Sequence, residues 1–193
     1  EPARIAEAIK NMKLSYAVLT MVARDDLADE GMGHIAECVQ AIRELDASIQ
    51  IETLISDARG TESLDIILQA APDVLNHNME TVPRLQHAVR PSAGYARSLS
   101  VLARAKRAGL IVKSGLIVGM GERDDEVVQA DLVLDPQRGG GQIVGRLVIV
   151  GGVEDADGLR LGRVGGEAEL EGHGGNAGGA EGILVRADEA VLG

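Results

Sequence analysis

Four times in the first 130 residues a helical period gives way to a short apolar run, and this alternation limits the folds open to the chain. Residues 2–12 place Ile5, Ala8, Ile9 and Met12 at helical spacing behind a proline. Residues 33–45 and 95–108 repeat the period, 61–70 make a shorter helix, and Gly109 supplies a C-terminal stop. The apolar runs fall at 16–20, 49–55, 74–75 and 110–118, the last interrupted by Lys113-Ser114-Gly115. Tyr16-Ala-Val-Leu-Thr20 is continuous rather than alternating, as parallel strands covered on both faces are. Asp124-Asp-Glu126 opens a further helix with acids first, as the helix dipole prefers. Parallel strands joined by right-handed helical crossovers predict an α/β fold. Repetition favours a partial (β/α) barrel of parallel strands; an open doubly wound sheet is the alternative.

In such folds ligands sit at the C-terminal rim of the strands. Every strand here ends in polar residues: Thr20 through Arg24, Asp25 and Asp26; Ser56-Asp57-Ala58-Arg59-Gly60; Asn76-His-Asn-Met-Glu80; and Lys113 with Glu122. Polar groups converging from separate strands are the usual form of a small-molecule site. The plainer alternative is a set of unrelated loop charges over buried strands.

Composition narrows the chemistry. Two Tyr, no Phe and no Trp leave an aliphatic core, and a net charge of −11 offers no basic patch for nucleic acid. The one cysteine, Cys38, lies at helical spacing with Ile35 and Ile42 and reads as a core residue rather than a nucleophile. No apolar run is long enough to span a membrane, no signal-peptide pattern opens the chain, and the expected location is cytoplasmic. The first residue is Glu, so the N-terminus reads as a cut end. There is no phosphate-binding loop of the Walker type, no HExxH pair and no CxxC. Gly115 to Gly121 is too loosely spaced, and too deep in a strand, for a dinucleotide fingerprint. No metal ligand or catalytic residue can be named on this basis.

Composition breaks near residue 130. Residues 131–193 hold 17 of the 25 glycines and no Lys, Ser, Thr, Cys, Met, Phe, Tyr or Trp, with five Arg against 11 acids. The expected organisation is a barrel over 1–130 and an irregular Gly-rich tail over 131–193. Residues encoded by GC-rich codons dominate the tail, which suggests an out-of-frame or misjoined translation. A genuine Gly-rich β segment is the alternative, with strands at 142–150 and 158–164, Gly-Gly turns after each, and a loop over 172–179.

Four stretches go further: Leu19-Thr-Met-Val-Ala-Arg-Asp-Asp-Leu27, Asn76-His-Asn-Met-Glu-Thr-Val-Pro-Arg-Leu85, Arg90-Pro through Tyr95-Ala-Arg-Ser-Leu99, and Lys113-Ser-Gly-Leu-Ile-Val-Gly-Met-Gly-Glu122. In this order they resemble lipoyl synthase, a radical S-adenosylmethionine enzyme on a partial (β/α) barrel, over residues 1 to about 129. The resemblance implies insertion of two sulfurs into an octanoyl chain carried by a lipoyl domain or the glycine cleavage H protein. It implies S-adenosylmethionine and two 4Fe–4S clusters as cofactors. It would put Thr20, Arg24, Asp25 and Asp26 at the methionine end, Asn76, Asn78 and Glu80 at ribose and carboxylate contacts, and Lys113 and Glu122 beside the adenine. The family's cluster cysteines fall before Glu1, and Cys38 matches none of them. Ser56, Ala58, Gln86 and Gly94 depart from the family's Pro, Phe, Tyr and Asp. The chain alone is therefore expected to be inactive, and the alternative reading is a non-catalytic fragment or fusion. A biotin synthase relative is disfavoured by the Thr-Val-Pro-Arg run. Open sheet edges predict self-association.

Overall fold

A computed structural model describes residues 1–134 and 145–151. The chain runs α1 (Pro2–Asn11), β1 (Tyr16–Thr20), α2 (Met32–Leu45), β2 (Gln50–Leu54), α3 (Thr61–Ala70), β3 (Val74–Asn76), α4 (Gln86–Val89), α5 (Tyr95–Arg107), β4 (Ile111–Val118), α6 (Asp124–Leu134) and β5 (Gly145–Gly151). All strands are parallel, in the order β1-β2-β3-β4-β5. A sheet whose spatial order equals its chain order, with right-handed crossovers, carries its helices on one side. That decides between the two architectures: a doubly wound sheet reverses its order partway, and this one does not.

The split between the faces follows the strand period of two. Ala17, Leu19 and Ile51 pack with Ala6 and Ile9 of α1 and with Cys38, Val39 and Ile42 of α2. Leu75, Val112 and Leu116 pack with Leu64 and Ile67 of α3 and with Val101, Leu102 and Ala105 of α5. Burying each large aliphatic side chain contributes about 1.5–3 kcal/mol, so these two clusters hold the helices to the sheet. The opposite face is less covered. Val18, Thr20, Leu54 and Lys113 are only partly buried, and Ile111 and Ile117 are exposed. Among the described residues the strands are thus covered fully on one face only, not on both.

Loop carboxylates start two of the helices. Asp29 accepts from the amides of Gly31 (3.1 Å) and Gly33 (3.0 Å) at the start of α2. Glu30, nearly buried, accepts from the amides of Arg59 and Gly60 (2.9 Å each) and from the Ser63 hydroxyl (2.8 Å) at the start of α3. Both sites supply the acceptors that orphan helix amides require.

One further expectation needs correction. The strand at 110–118 is not interrupted: Lys113 accepts from the His77 amide, Gly115 from the Glu80 amide, and β4 runs through both. Lys113 and Ser114 are tolerated because each side chain finds a partner on its own face. The strand opening at Val74 is only three residues long, and the chain rejoins the sheet at Glu80 as a lone parallel bridge to Leu116. A short helix, α4, follows at Gln86–Val89. Helix α6 runs past residue 130. β5 pairs with β4 from Val112↔Gly145 to Val118↔Gly151, overlapping the strand considered at 142–150; the one at 158–164, the later turns and the 172–179 loop lie outside the described residues. Among the described residues no helix is long and apolar enough to cross a membrane.

Candidate functional site

One row of residues crosses the rim on the less-covered face. Register pairs Thr20 with Leu54, Leu54 with Asn76, and Asn76 with Lys113, so in a parallel sheet these side chains leave from the same side. Thr20, Asn76 and Lys113, separated widely in sequence, share that row. Directly beneath lies the row of Val18, Glu52 and Val74.

Glu52 organises this face. Its carboxylate is 1% exposed and accepts from the Tyr16 hydroxyl (2.5 Å), from Asn76 Nδ2 (2.7 Å) and from Lys113 Nζ (3.2 Å). A carboxylate this deep is costly without partners, and the three donors offset that cost. Neither Glu52 nor Tyr16 was anticipated as a site residue. The available signal was an acid at the centre of the run 49–55, where the neighbouring strand positions are apolar or β-branched.

The segment after β3 leaves the sheet and returns to it at Glu80. His77 and Met79 are buried, Met79 within the helix-side core. His77 Nε2 meets Ser98 Oγ at 2.9 Å and Nδ1 meets the Ile55 carbonyl at 3.3 Å. Burial lowers its pKa, with nearby Asp57 and the Ile55 carbonyl opposing, so His77 is a neutral brace rather than a rim ligand. Asn76 is buried on the face opposite that core, Asn78 and Glu80 are half-buried, and Glu80 stands in register with Leu116. Among the described residues the Thr20 hydroxyl, the Asn78 amide and the Glu80 carboxylate take no hydrogen bond, while Asn76 Oδ1 and Thr81 Oγ1 are buried without a partner. Buried polar atoms are almost always satisfied. Of the buried oxygens without a partner, Asn76 Oδ1 is the one on the rim row, and an acceptor there suits a ligand that brings a hydroxyl donor.

The remaining candidates lie apart from that row. Arg24 forks onto Asp26 (2.8 and 2.7 Å), which holds the Asp26 carboxyl down to about 2. Asp25 meets Arg59 at 2.5 Å, tying the loops after β1 and β2. Glu122 accepts from the amides of Gly119 and Met120, shaping the loop after β4. Arg84 forks onto Glu126 (2.7 and 2.8 Å) and donates to the Gly121 carbonyl (2.8 Å), clamping the segment after β3 to the start of α6. Arg90 pairs with Asp57 and donates to the Asn78 carbonyl at 3.0 Å.

The thiol side of the chemistry is different. Cys38 is fully buried against α1 and β1 on the helix side of the sheet, and burial, with Glu1 and Glu37 adding, pushes its pKa up to about 11. It stays a thiol at neutral pH. Among the described residues no group of three metal-ligating side chains converges, and the residues present do not fit an iron–sulfur cluster.

A family model described as the radical SAM superfamily matches residues 1–132. The lipoyl synthase of Chlorobaculum tepidum is 56% identical over 129 residues, covering 66% of this chain and 44% of that protein. That of Chromobacterium violaceum is 49% identical over 133 residues, covering 67% and 42%. The chain thus spans less than half the length of these curated relatives. Among solved structures, methylornithine synthase superposes with a TM-score of 0.61 at 17% identity, covering 83% of this chain and 47% of that one. Streptococcus suis SuiB bound to S-adenosylmethionine gives 0.56 at 11% identity, with coverage of 81% and 35%. These two likenesses concern the fold alone.

Proposed function

The chain belongs to the radical SAM superfamily, and from that premise we propose that it is the barrel portion of a lipoyl synthase whose rim row binds S-adenosylmethionine. The observation that carries the reading is the identity of 49–56% sustained over 129 to 133 residues. The rim chemistry supports it. Asn76 Oδ1, the Glu80 carboxylate and the Thr20 hydroxyl offer acceptors to ribose hydroxyls and to an amino group, and carboxylates attract a sulfonium. Bound there, S-adenosylmethionine would supply a hydrogen-abstracting radical once a 4Fe–4S cluster of the whole enzyme gave it one electron. The role of the chain's own residues is to hold the adenosyl end, with Asn76, Asn78 and Glu80 proposed at the ribose side and Thr20 at the methionine side. The Arg24–Asp26 and Arg59–Asp25 pairs brace the loops at the methionine end, and Lys113 and Glu122 flank the adenine.

The proposed substrate is an octanoyl chain on a lipoyl domain or glycine cleavage H protein, which receives two sulfurs, in a cytoplasmic setting. Two 4Fe–4S clusters belong to this proposal for the whole enzyme. This chain contributes one buried thiol where each cluster takes several thiolates. By itself it is therefore expected to act as a non-catalytic binding piece.

Two measurements test this. Residues 1–130 are exchanged for the matching stretch of the Chlorobaculum tepidum enzyme, and lipoyl formation on an octanoylated H protein is assayed. Retained turnover is expected, and a folded but inactive chimera overturns the reading. The 193-residue chain alone, reconstituted anaerobically with iron and sulfide, should release no 5′-deoxyadenosine from S-adenosylmethionine.

A further inference from the structure

We propose that Glu52 is a positioning residue for the rim: its carboxylate turns Asn76 so that the amide nitrogen points inward and the amide oxygen is left to accept from a ligand hydroxyl. The identity of that ligand rests on the adenosyl reading above; the orientation does not.

The two ends of an asparagine amide are almost the same size, and only the partners decide which one faces Glu52. Glu52 accepts from all three of its neighbours. Tyr16 donates to Oε2 at 2.5 Å, Lys113 Nζ lies 3.2 Å away, and the Asn76 amide reaches Oε1 at 2.7 Å. Facing an acceptor of this kind, Asn76 must present Nδ2. The other end, Oδ1, is then an acceptor by default, and it is the one atom of this cluster buried without a partner. Asn76 itself is 8% exposed. A buried acceptor with no donor destabilises the free protein, and a ligand hydroxyl that reaches it removes the deficit, so the orientation favours binding. Lys113, paired with Asn76 in register, keeps positive charge beside Glu52 and makes the buried carboxylate tolerable. A purely structural Glu52 would neutralise Lys113 whichever end of Asn76 is turned away from it.

The two roles separate in a swap. In E52Q the new amide can donate to Asn76 Oδ1, releasing the orientation. N76D alone sets two carboxylates together. In E52Q/N76D the glutamine donates to one aspartate oxygen and leaves the other as the free acceptor, restoring the original polarity. With 5′-deoxyadenosine as probe, measured by saturation-transfer NMR on the 193-residue chain, E52Q should bind about tenfold more weakly than wild type. The double variant should return to within about threefold. Equal binding by wild type and E52Q, or a double variant that recovers its melting temperature but not its binding, overturns the proposal. The Asn76 side-chain amide in a ¹⁵N spectrum gives an independent reading without ligand. One proton protected from exchange in wild type and exposed in E52Q is expected; two freely exchanging protons in wild type overturn the orientation. A wild type that shows the protected proton yet ignores 5′-deoxyadenosine counts against the adenosyl reading and leaves the Glu52–Asn76 geometry standing.

Discussion

At the scale of single residues, the site depends on which side chains find partners. Glu30 is the clearest structural case. Burial acts to raise its pKa, but the amides of Arg59 and Gly60 and the Ser63 hydroxyl outweigh it, and the net shift is downward. A carboxyl whose folded pKa is depressed adds stability above its ordinary value near 4.5 and loses it as pH falls below that value. E30Q should lower unfolding stability by about 1–2 kcal/mol at pH 7, with the deficit shrinking toward pH 3 in urea titrations; a pH-independent deficit would contradict this. His77 works in the same direction at higher pH. Its folded pKa is lowered from 6.5 by burial, so the unfolded chain takes up the proton first and stability falls as pH drops below 6.5. Denaturation midpoints that stay level from pH 7 to 5.5 would refute that assignment. Asn76 stood out in the sequence because polar residues cluster around it. Glu52 did not, since a single acid inside a strand looks the same whether it faces water or three donors.

At the scale of elements, α5 and α6 show two kinds of attachment. Leu102 on α5 is fully buried in the larger core cluster, and L102A should cost about 2–5 kcal/mol by chemical denaturation. Helix α6, which sets Ala130 and Val127 against the same cluster, is also tied at its start by charge: Arg84 chiefly, with the Arg123 amide and side chain, lowers the Glu126 carboxyl to about 2. That attachment is complete above about pH 4.5 and is lost as pH falls toward 2. R84M should speed amide exchange along α6 at pH 7 while leaving α5 unchanged, and the difference should fade in acid; uniform exchange in both proteins would exclude the clamp. Most element boundaries were legible because period, proline and glycine signals agree locally. The continuity of β4 was not, because Lys113 and Ser114 owe their place to Glu52 and to the His77 carbonyl, both far away in sequence. Helix α4 is four residues long, too short for a periodic signal.

For the whole molecule, alternation of helix and strand was enough to predict parallel pairing, but not which side of the sheet stays open. Strand order settles that, and it leaves a face with Ile111 and Ile117 at 47% and 38% exposure. β1 also has one lateral side unpaired among the described residues. Such an edge pairs readily with another copy. The chain should associate with rising concentration in light scattering, and V18K, which puts a charge on the open face of that edge strand, should shift it toward monomer. Association unchanged by V18K would move the contact elsewhere.

Cys38 offers a use of its own. A solitary thiol, sealed between the first two helices and the first strand and held in its unreactive form, can be alkylated only when that packing comes apart. Its modification rate in native buffer is therefore a clock for how often this end of the molecule opens, readable by mass spectrometry without any introduced probe.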